Sequence, residues 1–448
     1  MIDNKKVSFI LKKDAIERSI YCPVCDSSHK STSFAKVPHP YKSELLHIYE
    51  CSHCYSYIYE DIFRIGYLEL PSDIEEIGTQ HYCLIGCGID FGINILSRLY
   101  ENNKKKELIE IGCGFGYNLS FWESFKKQKA TGLEKAKYGL IGRDELNVNI
   151  LPSYLDEIRY KKKYDIVLST EVIEHVQNPL VFLKQALLVL KKNGILVFTT
   201  PSKESVINNT NNPAVLNAIF SPGYHEFIIS KKGIINLLEK LNIGNYKIEL
   251  VGNHYITYLT NSKDVLAQIK PKSIPDEYSN FLRFLIENKS GIVKEGALYR
   301  YFKYLINKGL YEEARFYFLE ILSLLSEKYN LNLILLYKTE PQLDDFIRNL
   351  PPYLGPFFFY AGILHSHRIE DLNDKCMFFS LAVNTLKRTI VSAPRFSQEA
   401  ESLLHEAENQ LAKACRDIQI NRSYNNSVKF TINNLNIYFK KLIKRYLG

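Results

Sequence analysis

Glu107-Leu108-Ile109-Glu110-Ile111-Gly112-Cys113-Gly114-Phe115-Gly116 is a short apolar strand running into three glycines at alternate positions. Tyr117 to Phe125 then reads as a helix. Strand, glycine turn and helix bring backbone N–H groups up to a ligand at a helix N-terminus. A Cβ in such a turn would hold the backbone off the ligand and penalise positive φ. Thr131-Gly132-Leu133-Glu134 adds an apolar strand that ends in a carboxylate 18 residues after Gly116. That carboxylate is placed to accept two hydrogen bonds from a ribose diol.

The spacing is G-x-G-x-G, whereas the dinucleotide fingerprint requires G-x-G-x-x-G. Glu110 would repel a pyrophosphate but could receive an ammonium. Ribose and ammonium without phosphate describe S-adenosylmethionine. The stretch resembles the first motif of class I S-adenosylmethionine-dependent methyltransferases. So do Tyr164-Asp165-Ile166-Val167-Leu168-Ser169-Thr170-Glu171-Val172-Ile173-Glu174-His175-Val176, followed by Asn178-Pro179, and Gly194-Ile195-Leu196-Val197-Phe198-Thr199-Thr200-Pro201. This resemblance implies a Rossmann-like core of seven strands. It also implies cofactor contacts from Glu110, Gly112, Gly114, Gly116, Glu134, Tyr154, Leu155, Thr170 and Glu171.

Cys22-Pro23-Val24-Cys25 and Cys51-Ser52-His53-Cys54 are two C-x-x-C knuckles with 25 residues between them. Four converging thiolates make a closed tetrahedral zinc site with no position for water, so the expected zinc is structural. His29, His39, His47 and His53 lie nearby and read as surface or packing residues.

Methyl transfer to a hydroxyl needs a general base, which favours histidine. His225 lies in Gly223-Tyr224-His225-Glu226-Phe227, after the fifth strand, and His175 is the second candidate. The zinc module, the core and this loop together resemble sugar C-methyltransferases that act on nucleotide-linked keto-sugars. In that family the loop reads Tyr-His-Glu-His and its last histidine is the base. Tyr224, His225 and Glu226 match, but Phe227 stands where the base would be. The expectation is therefore a saccharide-like acceptor, in surface-polysaccharide biosynthesis, with O-methylation by His225. Sugar C-methylation, a macromolecular acceptor recruited by the C-terminal helices, and a non-catalytic scaffold are the alternatives.

The elements that must position these residues follow a strand–helix rhythm. Strands are expected at 107–111, 130–134, 147–151, 164–170, 194–200, 246–251 and 254–260. Helices are expected at 179–191, closed by Asn193-Gly194, and near 231–242. Such alternation folds as a doubly wound sheet whose ligands lie at the strands' carboxyl ends. Ile85-Gly86-Cys87-Gly88 repeats the cofactor turn letter for letter but has no strand or ribose acid to go with it. It reads as a turn before a helix, Asp90 to Tyr100. After Pro271 and Pro275 the pattern is helical: 277–288, 294–308, 311–328, 342–349, 370–391 and 396–418. Lys308-Gly309-Leu310-Tyr311-Glu312-Glu313-Ala314 is similar to a tetratricopeptide turn, without a regular 34-residue period. The clusters Tyr299-Arg300-Tyr301-Phe302 and Phe357-Phe358-Phe359-Tyr360 read as core. The expected fold class is α/β, organised as a zinc module (1–75), a methyltransferase core (76–270) and an α-helical, repeat-like domain (271–448).

Length and composition suit two or three globular domains: 448 residues, 46% hydrophobic and 24% charged. The net charge of +8 permits an anionic partner without demanding one, and no basic stripe suggests nucleic acid. No secretory signal or membrane span is apparent, and nine cysteines fit a reducing compartment, so a cytoplasmic location is expected. The tail after Asp417 has six bases (Arg422, Lys429, Lys440, Lys441, Lys444 and Arg445) and no acid. It reads first as a terminal helix docked on its own domain. The alternative is a basic amphipathic helix resting peripherally on the inner face of a membrane. The helical domain is expected to serve oligomerisation or partner binding.

Overall fold

The computed structural model describes residues 7–10, 14–38, 45–59, 78–86, 89–101, 104–158, 162–270, 276–331, 349–367, 372–392 and 398–424. The chain divides into two compact units: Met1–Ser72 with Gly88–Glu277, and Asp73–Cys87 with Tyr278–Gly448.

The first unit contains two sheets. In the N-terminal one, β3 (Ser27–Pro38) pairs antiparallel with β1 (Ser8–Phe9), β2 (Glu17–Cys22) and β4 (Leu45–Cys51). Next come β5 (Tyr57–Tyr59) and then β11 (Phe227–Ile228), a strand contributed by the segment that carries Tyr224, His225 and Glu226. Ile58 and Phe227 are register partners and both are buried. The knuckles are thus built into the same unit as the core, where the sequence suggests a module ending at residue 75. Cys22, Val24, Cys51 and Cys54 share one apolar cluster with Ile109, Val167 and Phe198. The helix Lys231–Lys240 sits against the knuckles: a Cβ on Gly233 would stand 2.9 Å from Val24 Cγ1.

The larger sheet comprises β6 (Glu107–Ile111), β7 (Lys129–Leu133), β8 (Ile150–Leu151), β9 (Tyr164–Thr170), β10 (Leu190–Pro201), β12 (Tyr246–Val251) and β13 (His254–Leu259). Their order is β12-β13-β10-β9-β6-β7-β8. Strands β8 to β10 in this order are parallel, and β13 runs antiparallel to β10 and β12. Ile166, Val167 and Leu168 are fully buried, as expected of a central strand covered on both faces. The order reverses at β6, and such a switch point opens a crevice at the carboxyl ends of β6 and β9.

One sequence expectation fails here. The helix after Asn178-Pro179 ends at Leu188 with Val189 as its cap, and Gly194 lies inside β10. The reason is pairing. Tyr164 N–H donates to Val189 O at 2.8 Å, so the chain joins the sheet at Leu190. A Cβ on Gly194 would meet Asp165 O at 2.9 Å; the glycine permits close strand packing and does not cap a helix.

The second unit is helical: Glu277–Asn288 leads into it, followed by Gly291–Asn307, Tyr311–Tyr329, Leu354–His365, Leu372–Ser392 and Gln398–Tyr424. The segment His81–Ile85 joins it because Gly296 lets the two backbones approach; a Cβ there would lie 2.5 Å from Cys83 O. Phe302, Phe318, Phe357 and Phe378 form its centre, and the two aromatic clusters are buried. The helix Leu354–His365 was not expected, and the helix expected at 342–349 falls largely outside the described residues, as does most of the basic tail. Among the described residues, no single helix is long and apolar enough to cross a membrane.

Candidate functional site

The glycine turn leaves β6 with Gly112, Gly114 and Gly116 at φ of 68°, 54° and 89°. Only glycine takes this left-handed backbone at little cost. A Cβ on Gly112 would come within 2.5 Å of Val172 Cγ2, so the turn abuts the residue after Glu171. A Cβ on Gly114 would meet nothing within 4 Å; the backbone there borders open space. Beside it, Glu134 is tethered by two backbone donors, Gly114 N to Oε2 at 3.1 Å and Ala136 N to Oε1 at 2.9 Å. Each oxygen keeps acceptor capacity for a diol.

Glu110 is buried, and Asn118 Nδ2 donates to its Oε1 at 2.7 Å. Its Oε2 has no hydrogen-bond partner among the described residues. Burial pushes this carboxyl up to about 8. An open backbone cradle, a tethered diol acceptor and an orphaned carboxyl oxygen together fit a ligand with a ribose and a cationic group. Tyr154 is exposed and takes part in a capping box with Glu157, while Leu155 beside it is buried. Thr170 ends β9, and Glu171 follows with a left-handed φ of 54°.

Two residues from neighbouring strands, Thr199 of β10 and His254 of β13, meet Glu171. Thr199 Oγ1 donates to its Oε1 at 2.7 Å, and His254 Nδ1 lies 3.0 Å from its Oε2. Burial works to lower the His254 imidazole, but the adjacent Glu171 carboxylate, aided by the charge of Asp90, raises it overall. Phe91 stands beside His254 with ring centroids 5.4 Å apart. Sequence reasoning missed His254 and Thr199. The antiparallel register Pro201↔His254 brings His254 to this edge, and no local motif marks it.

The predicted catalytic residues gather one turn further on. His175 donates through Nδ1 to Tyr224 O, and His225 through Nδ1 to Ile219 O, each at 2.8 Å. Both Nε2 atoms approach Glu174 Oε1, at 3.9 and 4.0 Å. Glu226 is buried, and its N–H donates to Glu174 O at 2.7 Å. Burial holds both imidazoles below their ordinary range, His225 well below, and pushes the Glu174 carboxyl well up. Phe227 continues into β11 as a fully buried core residue.

The four knuckle cysteines are free thiols whose sulfurs lie within 4.8 Å of one another. Cys22 and Cys54 Sγ are 3.8 Å apart, and Cys25 and Cys51 Sγ 3.7 Å. Zinc–sulfur bonds of about 2.3 Å in a tetrahedron give an edge of about 3.8 Å, so the donor set fits a metal ion. His29 Nε2 is 2.9 Å from Cys51 Sγ, and its ring stacks on His53.

Residues 92–243 match the family model described as a methyltransferase domain. The ubiquinone biosynthesis O-methyltransferase of Rickettsia canadensis (strain McKiel) is 27% identical over 28% of this chain and 55% of its own length. The tRNA U34 carboxymethyltransferase of Haemophilus ducreyi (strain 35000HP / ATCC 700724) is 29% identical over 32% of this chain and 46% of its own. The chain spans about half the length of the curated relatives it matches. Among solved structures, the plantazolicin methyltransferase BpumL in complex with SAH aligns at a TM-score of 0.37 and 14% identity, over 44% of this chain and 93% of that one. The chain carries an S-adenosylmethionine-dependent methyltransferase domain. The saccharide acceptor expected from the sequence is corrected: the matched relatives are named for ubiquinone biosynthesis and for tRNA. The structure also speaks against sugar C-methylation, since the position of that family's base holds a buried strand residue, Phe227.

Proposed function

We propose that this protein methylates a hydroxyl oxygen on a non-sugar small molecule, with His254 as general base and Glu171 positioning it. The observation that carries the reading is the Thr199–Glu171–His254 chain at the carboxyl edge, one residue from the Val172 that touches Gly112. S-adenosylmethionine, when bound, supplies an electrophilic sulfonium methyl that needs no further activation. Gly114 gives the backbone cradle, Glu134 receives the ribose diol, and Glu110 faces the ammonium. Glu171, fixed by Thr199, holds the His254 ring so that it can take the acceptor's proton. Phe91 beside His254 favours a flat or apolar framework around that hydroxyl. Relatives named as O-methyltransferases support the choice of oxygen.

The cysteine cluster is read as a closed structural zinc site of Cys22, Cys25, Cys51 and Cys54. It would brace β2 and β4 against the helix Lys231–Lys240, whose cap residue Ser230 donates through its hydroxyl to Cys54 O.

The test is transfer of a labelled methyl from S-adenosylmethionine to a panel of hydroxylated aromatic compounds, with sugars and amines in parallel. Label on oxygen of a non-sugar acceptor is the expected result. Transfer confined to nitrogen, carbon or sugars would overturn the reading.

A further inference from the structure

We propose that Glu174, His175 and His225 form a second metal site, for a divalent first-row transition cation, separate from the cysteine cluster. Two histidines and one carboxylate are a ligand set such ions accept, leaving further positions open. The three ligand atoms lie within 4.8 Å of one another. Two ligands at about 2.1 Å from one ion stand at most about 4.2 Å apart. The Glu174–His175 and Glu174–His225 separations of 3.9 and 4.0 Å satisfy that limit and are too long for hydrogen bonds.

Two features point to an ion. First, each imidazole donates Nδ1–H to a backbone carbonyl, Tyr224 O and Ile219 O. That bond fixes the tautomer whose lone pair is on Nε2, the nitrogen turned toward Glu174. Metal-binding histidines are commonly held this way. Second, Glu174 is 0% exposed, and neither of its carboxyl oxygens has a well-formed hydrogen bond among the described residues, the Thr200 hydroxyl being the one donor close to it. A buried carboxyl left unsatisfied is costly, and a cation between it and the two Nε2 atoms would satisfy it. The ion would pin the loop holding His225 to the turn Ile173–His175, already joined by Glu226 N–H to Glu174 O.

The test uses the full-length chain given one equivalent of zinc, which the four thiolates of the cysteine site take first. Manganese(II) prefers imidazole and carboxylate to thiolate, so it reports the second site. Titration followed by electron paramagnetic resonance should give one manganese per chain. E174Q and H225Q should each weaken that binding by at least about tenfold, as losing a ligand costs no less than losing a supporting group. Far-ultraviolet dichroism checks that both variants fold. Should both unfold, metal analysis of the wild-type chain decides: two ions per chain after excess zinc and removal of the unbound metal support the site. Wild-type protein that binds one ion per chain and no manganese would overturn the proposal. So would folded E174Q and H225Q that bind manganese like the wild type.

Discussion

Glu134 and Glu174 are carboxyl groups on the same edge of one sheet, and burial pushes both upward. Their surroundings differ. Glu134 receives two backbone N–H groups, from Gly114 and Ala136, both within 20 residues of it in the chain. Glu174 has no backbone tether of that kind, only the Thr200 hydroxyl close by, and faces two imidazoles, one of them about fifty residues away. The cofactor half of the edge is thus built from local chain geometry, and the acceptor half from side chains that tertiary folding collects. Local geometry suits a ligand that is always the same. Collected side chains can be exchanged to suit an acceptor without rebuilding the strand, turn and helix that hold the cofactor.

The largest effect should come from the acceptor half. His254→Ala removes the proposed base and should lower turnover by about 10²–10⁴-fold while cofactor affinity stays constant. Steady-state rates with calorimetry of cofactor binding test both. Near-normal turnover would move the base elsewhere on this edge, with His225 next to be tried despite its burial.

Next is the frame that holds His254. Arg98 donates to Glu249 Oε2 at 2.7 Å and Oε1 at 3.0 Å, and to Tyr258 Oη at 2.7 Å. This clamps the helix carrying Phe91 to the β12–β13 hairpin. The Arg98 hydrogen bonds hold the Glu249 carboxyl at about 2, below its ordinary 4.5. A depressed carboxyl stabilises the fold above its unfolded value, and that contribution is lost as pH falls through about 4.5 toward 2. Glu249→Gln should therefore cost about 2–3 kcal/mol at pH 7 and flatten the acid limb of the stability curve. Urea unfolding at several pH values measures it; an unchanged acid limb would remove the clamp from the account.

The same division decides what could be read from the sequence. Glu110, the glycines and Glu134 are legible because strand, turn and acid follow one another at fixed spacing. The knuckles are legible for the same reason, though not their integration through β11, since the two-residue strand Phe227–Ile228 has no pattern of its own. His254 was invisible: its role depends on the antiparallel register of β13. The helix Leu354–His365 was missed because it is apolar on every side, and periodicity marks only a helix with a polar face. His175 and His225 were legible as candidates from motif position. Their shared orientation around Glu174 was not, because it depends on two backbone carbonyls, Tyr224 O in the loop before β11 and Ile219 O in the helix Pro213–Phe220.

The smallest of the three effects tests the cofactor half directly. Glu134→Ala removes the diol acceptor and both backbone tethers. Hydrogen bonds to a charged group are worth about 1.5–3 kcal/mol, so cofactor affinity should fall by about tenfold or more. Glu134→Gln keeps one acceptor oxygen and should fall between the two. Glu174→Gln should leave cofactor affinity nearly unchanged, because Glu174 faces the imidazoles and has no contact with the glycine turn among its described partners. Calorimetric titration of the three variants with S-adenosylmethionine or its demethylated product separates the halves. If Glu174→Gln weakened cofactor binding as much as Glu134→Ala, the two halves would be one network and the contrast between them would fail.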